Sequence, residues 1–410
     1  MMIRDWLPML RRSLTLAALG TLALGLTVLS APASASAADT VLQPGDSIQD
    51  AVDAASPGDR IVIMPGVYYG AEDAEEGVRI KKDFIRLIGK PDGENKVILM
   101  PNPDGSNRDG ILVEPEDEPE DGLPVIQGSV IQGITVEGFP GNGIKLEYVN
   151  NFQILNNESV NNLENGIQPE LSANGLVKDN LSYGSLDSAL WVEGGTNVRV
   201  IGNVLHSSVT GLEVTISNGL VLADNEMYNN TVGMGLYHPS AAGSETVPPV
   251  IEDWKAMNNY VHDNNQLYPT SGLPAFLPPG GGIMLLGVSD TNVVGNRIEN
   301  NDFFGLAVLD FCFAFNGVPD PVNWCVPPYG PNTKGTDPVP RNNRIRGNVF
   351  VNNGTDPPDH PLAPFAADII EAVFDPSAGN RFDGNRCATY SSIPGGVEQV
   401  PAPCPSPSYR

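Results

Sequence analysis

Short alternations of apolar and polar residues recur along this chain at a nearly constant step. Gly143-Ile144-Lys145-Leu146, Gly166-Ile167-Gln168-Pro169, Ala189-Leu190-Trp191-Val192, Gly211-Leu212-Glu213-Val214, Gly233-Met234-Gly235-Leu236, Gly282-Ile283-Met284-Leu285 and Gly305-Leu306-Ala307-Val308 follow one another at 23, 23, 22, 22, 49 and 23 residues. A second landmark keeps step with the first: Asn157, Asn180, Asn203, Asn225, Asn259, Asn296, Asn348 and Asn385 each follow a short apolar stretch. Five residues further on, Asn162, Asn230, Asn264, Asn301 and Asn353 recur. Each unit therefore offers two or three short β segments and is too small to bury its own apolar face, so units must stack. Asn suits the corners because it tolerates left-handed backbone, and a column of its side chains can hydrogen-bond from rung to rung. Propeller blades need periods of about 40 to 50 residues, and the Leu pattern of a leucine-rich repeat is missing. The pattern predicts an all-β chain folded as a parallel β-solenoid.

Upstream of the repeats, Gln43-Pro44-Gly45-Asp46-Ser47 leads into Ile48, Ala51, Val52 and Ala55, apolar at i, i+3, i+4 and i+7 behind a capping Ser47. This predicts a short one-faced helix that plugs the open end of the solenoid. A first strand over Ile61 to Ile63 should follow, then Pro65-Gly66-Val67-Tyr68. With these residues and the repeats together, the chain resembles the right-handed parallel β-helix, pectin-lyase-like superfamily. The resemblance runs from about Val41 to Cys387. It implies one right-handed parallel β-helix domain over 38–390, with a Pro-rich tail at 391–410.

Measured against a rung of 22 or 23 residues, the repeat is interrupted by insertions near 239–249, 268–282 and 311–341, all rich in Pro and Gly. Insertions on neighbouring rungs of a solenoid stand side by side and wall a cleft. Strand alternation indicates what faces it. With Ile144, Ile167, Leu190, Leu212, Met234, Ile283 and Leu306 inward, one outward column is Lys145, Gln168, Trp191, Glu213, Gly235, Met284 and Ala307. The next is Glu147, Glu170, Glu193, Thr215, Tyr237, Leu286 and Leu309. Glu147, Glu170 and Glu193 stacked together are costly, so either Lys145 and solvent relieve them or they hold a hard cation such as Ca²⁺. Trp191 and Tyr237, with Glu193, are expected to contact substrate. Glu213, His238 and Asp310 are the candidate acid/base residues. His206, His262 and His360 read as turn or surface residues.

Composition bounds the function. The 410 residues carry 23 basic and 49 acidic side chains, a net charge of −26, which argues against general binding to nucleic acid or anionic membranes. Residues 1–37 show Arg4, Arg11 and Arg12, an apolar run and an Ala-x-Ala ending, the order of a secretory signal cleaved after Ala37. No second run is long enough to span a bilayer, so a secreted, periplasmic or extracellular monomer is expected. Cys312, Cys325, Cys387 and Cys404 are an even set for an oxidising compartment. Pairing nearest neighbours gives Cys312 with Cys325 and Cys387 with Cys404. Motifs of the superfamily's enzymes do not match: Arg79-Ile80-Lys81 lies before the repeats, and Asp356 to His360 fits only faintly the epimerase pattern. Two readings stay open: a carbohydrate-active protein that binds, and cleaves or modifies, a polysaccharide or cell-envelope glycan, and a non-catalytic solenoid of the envelope that binds a glycan or a maturation partner.

Overall fold

The computed structural model describes residues 38–120, 122–238, 251–270, 277–314, 337–399 and 403–404. Among them the strands assemble into three parallel sheets of 12, 10 and 11 strands, with a two-stranded sheet at one corner. Each turn of the chain contributes one strand to each sheet. One rung, for example, runs Arg199–Ile201, Val204–His206, then Thr210–Thr215. The third strand of a rung belongs to the 11-stranded sheet, called here the long-strand sheet because its central members have six residues and those of the other two sheets three.

The inward column is as predicted from alternation. Ile144, Ile167, Leu190, Leu212, Met234, Ile283 and Leu306 are fully buried and pair in that order, rung on rung. Parallel pairing satisfies the backbone along the axis, and these side chains fill the bore. Neither could be achieved by one rung alone.

The asparagine columns behave differently from expectation in one respect. The left-handed backbone is taken by the residue before each ladder position, as at Asn156, Asp179, Gly202, Asp224 and Asn258, with φ between 52° and 69°. The ladder residues Asn157, Asn180, Asn203, Asn225 and Asn259 turn their carboxamides inward, where they are buried. Asn203 Nδ2 donates to Asn225 Oδ1 at 2.9 Å and to the Val177 carbonyl at 3.1 Å, and the same pattern repeats from Asn157 through Asn385. The corner needs both a residue free to adopt positive φ and an amide that satisfies buried backbone groups, and the chain divides these duties between neighbours. A second column, Asn230, Asn264, Asn301 and Asn353, ends on Asp368, whose carboxylate also accepts the backbone N–H groups of Ala388 and Thr389.

At the N-terminal end, helix Ile48–Ala54 buries Ile48 and Val52, and the Ser47 hydroxyl accepts from Asp50 N at 3.1 Å. Lys82 Nζ donates to the carbonyls of Val52, Asp53 and Ala55, which closes the other end of the helix. At the C-terminal end, strand Tyr390–Ser392 pairs with Ala367–Ala372, and a disulfide joins Cys387 to Cys404. Cys312 is also disulfide-bonded; its expected partner, Cys325, lies outside the described residues. So do residues 1–37, the 239–249 insertion and the middle parts of the other two. Among the described residues, no helix is long and apolar enough to cross a membrane.

Candidate functional site

The outer face of the long-strand sheet carries the predicted site residues, but it presents three columns where simple alternation gives two. The small residue at Ala189, Gly211, Gly233, Gly282 and Gly305 interrupts the alternation, so Ser188, Thr210, Val232 and Phe304 join the outer face. Ser188 Oγ accordingly donates to Glu213 Oε2 at 2.6 Å, and Val232 and Phe304 pack with Tyr237, Met284 and Leu309.

The first rungs of this face are ionic. Lys145 Nζ bridges Glu147 and Glu170, lying 3.0 Å from the latter. Burial raises the Glu170 carboxyl pKa, with the Lys145 ammonium opposing. Gln168 Nε2 donates to Glu193 Oε2 at 3.2 Å. An ammonium and an amide thus stand between the carboxylates proposed for Ca²⁺, and this donor set does not fit a hard cation. No group of three or more His, Cys, Asp or Glu side chains is placed to hold a metal among the described residues.

The middle rungs hold the acid chemistry. Glu213 is buried; burial pushes its carboxyl well above the ordinary range, and the neighbouring Asp187 charge pushes the same way. Asp187 is half-buried, and burial, followed by the Glu164 charge, raises it to about 6. Two such carboxyl groups facing one another cannot both ionise at neutral pH. Tyr237 lies flat over Gly235: a Cβ there would meet its ring at 2.1 to 2.6 Å, so only glycine admits this pose. Burial and the nearby Glu213 charge push the Tyr237 phenol far up. Trp191, half-buried on the rung before Glu213 and two before Tyr237, donates from Nε1 to Thr215 Oγ1 at 3.0 Å.

Buried polar atoms are almost always hydrogen-bonded, and each exception calls for a reason. Among the described residues six side-chain atoms lack a well-directed partner while buried, and three of them belong to this group: Asp187 Oδ1 and the Thr210 and Tyr237 hydroxyls, which lie within reach of one another beside Glu213. The structure therefore brings Trp191, Glu193, Glu213 and Tyr237 together and adds Ser188 and Thr210, which simple alternation turns inward, and Asp187, which lies in the bend just before its strand. For Ser188 and Thr210 the signal was the break at the small residue.

His238 and Asp310 belong elsewhere. His238 is buried with its ring 4.8 Å from that of Phe311. Asp310 accepts from the N–H groups of Cys312 and Phe313 and so starts the short helix Phe311–Ala314. Three rungs separate it from Glu213, about 14 Å at the usual strand spacing. The structure does not assemble Glu213, His238 and Asp310 into one constellation. Of the unassigned histidines, His206 and His262 stack with Tyr183, Tyr228 and Tyr260 in a ladder on the 10-stranded sheet.

Residues 102–245 match the family model described as "Right handed beta helix region". No curated protein matches the sequence. Among solved structures, the A-module of mannuronan C-5 epimerase AlgE4 from Azotobacter vinelandii is similar at TM-score 0.57 and 16% identity, over 85% of this chain and 92% of that one. The Dettilon tailspike protein is similar at 0.52 and 14%, over 87% and 60%. DFA-IIIase from Arthrobacter chlorophenolicus A6 is similar at 0.50 and 15%, over 88% and 80%. At these identities the likeness concerns the fold. By its rungs, its ladders and these comparisons, the chain is a right-handed parallel β-helix protein.

Proposed function

We propose that the outer face of the long-strand sheet binds a neutral or weakly charged glycan outside the cytoplasm and that the Asp187–Glu213 pair performs acid/base chemistry on it. The observation that carries this reading is the gathering beside Glu213 of buried polar groups that the fold leaves incompletely satisfied, namely the Asp187 carboxyl and the neighbouring Thr210 and Tyr237 hydroxyls. They offer what a sugar hydroxyl or glycosidic oxygen requires, namely donors and an acceptor already desolvated. Trp191 supplies an aromatic surface on the same face.

In this reading Glu213, fully enclosed, retains its proton and donates it to a leaving oxygen. Asp187, ionised above about pH 6, accepts a proton from the attacking hydroxyl or water. Activity then rises as pH passes through 6. The abundance of carboxylates on the first rungs disfavours a polyanionic substrate. One fold neighbour is named for action on mannuronan, which supports a carbohydrate ligand and leaves its identity to experiment. The expected signal segment and the Cys387–Cys404 disulfide suit an oxidising compartment.

A panel of neutral and acidic polysaccharides, read for both binding and product release, tests the proposal. A Trp191→Ala, Glu213→Gln double variant should lose binding or turnover of the active polysaccharide and keep a melting temperature near the parent's. Retained function in that variant would move the site elsewhere.

A further inference from the structure

One rung beyond Tyr237 the outer face of the long-strand sheet becomes apolar. Met284 and Leu286 are the paired neighbours of Gly235 and Tyr237, and with Ala307, Leu309 and Ile370 they are buried although they point away from the bore. The bore does not need them there. Together with Phe303 and Phe304 they line a cavity of about 80 Å³. Its described lining holds one polar side chain, His360. The backbone N–H of Leu362 donates to His360 Nδ1 at 3.2 Å, so in the neutral ring the proton sits on Nε2. The imidazole rests against Phe303, with ring centroids 5.4 Å apart. Burial lowers its pKa, which keeps it neutral.

We propose that this cavity is a binding site for a short acyl group whose carbonyl oxygen accepts from His360 Nε2. An engineered apolar cavity of about 150 Å³ takes benzene. A cavity of roughly half that volume suits three or four carbons. Apolar walls with a single neutral donor match an ester or amide better than a bare alkyl chain, which would cover the partly buried donor without pairing it, and better than a carboxylate, which no cation in the described lining would balance. The cavity begins about 5 Å from Tyr237, one strand spacing away. A glycan engaged at Asp187, Glu213 and Tyr237 would thus place an O-acyl substituent in it. The glycan half of this inference rests on the function proposed above, and the acyl half rests on the cavity alone.

Calorimetric titration with simple esters separates the two halves. Ethyl butanoate should bind about tenfold more tightly than ethyl acetate, the worth of two further buried methylenes, with a negative heat-capacity change. Ala307→Phe, which fills the cavity, should abolish binding, and Leu309→Phe provides a second filling variant if the first unfolds. His360→Phe should weaken the ester several-fold and leave dipropyl ether unchanged. Equal affinity for the two esters, or undiminished binding in a folded filling variant, would overturn the proposal. Methyl glucoside carrying a butanoyl ester is the second probe. If it binds no more tightly than ethyl butanoate while the other results hold, the acyl site stands and the glycan reading fails.

Discussion

Replacing Asp187 by Asn should stabilise this protein at neutral pH and silence its chemistry. Burial and the Glu164 charge raise the Asp187 carboxyl in the folded chain to about 6 against an ordinary 3.8, so between about pH 4 and pH 6 the native state holds a proton that the unfolded chain releases, and above pH 6 it carries a charge that burial disfavours. The sign follows from linkage. Below about pH 4 both states are protonated and the site costs nothing, and its contribution is lost progressively as pH rises through 6. At pH 7.5 the cost is at most about 3 kcal/mol, because the side chain is half-buried and water screens part of the field. At pH 4.5 the same shift costs about 1 kcal/mol. Asparagine carries no charge at either pH, so any geometric penalty of the substitution cancels when the two conditions are compared. The gain in stability at pH 7.5 should exceed that at pH 4.5 by up to about 2 kcal/mol, or up to about 3 °C in melting temperature for a folded body of this size. Differential scanning calorimetry of parent and variant at both pH values measures it. An increment equal at the two pH values, or larger at pH 4.5, would refute the claim that Asp187 is held against its preferred charge state. Turnover that survives in the variant would remove Asp187 from the chemistry.

Three further outcomes are expected. Leu190→Asp puts an unpaired carboxylate between Ile167 and Leu212 in the bore and should cost about 4 kcal/mol or more; melting like the parent would show the inward assignment to be wrong. Gly235→Ala should evict the Tyr237 ring and cut turnover or binding at least tenfold, with a change in near-ultraviolet circular dichroism; an unaltered spectrum and full activity would deny Tyr237 its place. Cys404→Ser opens a bridge spanning 17 residues and should lower stability by about 3 kcal/mol on the chain-entropy argument, read by calorimetry alongside non-reducing peptide mapping.

The bore was legible because its rule is local. A period-two alternation inside a constant step identifies Ile144, Leu190 and Leu306 with no knowledge of what they touch, and all are fully buried. Trp191, Glu193, Glu213 and Tyr237 followed from the same alternation. Ser188 and Thr210 were hidden because the small residue at Ala189 and Gly211 shifts the phase of the strand, and Asp187 because it lies in the bend just before its strand. A phase shift is visible only once neighbouring rungs are paired. His238 and Asp310 seemed attractive because they end their strands beside insertions, yet sequence adjacency to a loop does not measure distance across a sheet. The apolar half of the outer face, Met284, Leu286 and Leu309, read simply as more outward positions, since alternation marks a side as outside the bore and cannot say what covers it.

The asparagine columns also have an electrical consequence. Every carboxamide in the column from Asn157 to Asn385 turns its oxygen toward the rung before it and accepts there, and from Asn157 to Asn348 its amide donates to the carboxamide of the rung after it. Their dipoles therefore add head to tail, as peptide dipoles do along an α-helix, and the column is positive at its C-terminal end. The companion column, Asn230 to Asn353, is aligned the same way and stops on the Asp368 carboxylate. An anion at the positive end of an aligned stack is the arrangement a helix N-terminus uses with an acidic side chain. The solenoid thus has a polarity that its parallel strands share, and its last rungs are closed by charge as well as by the chain that covers them.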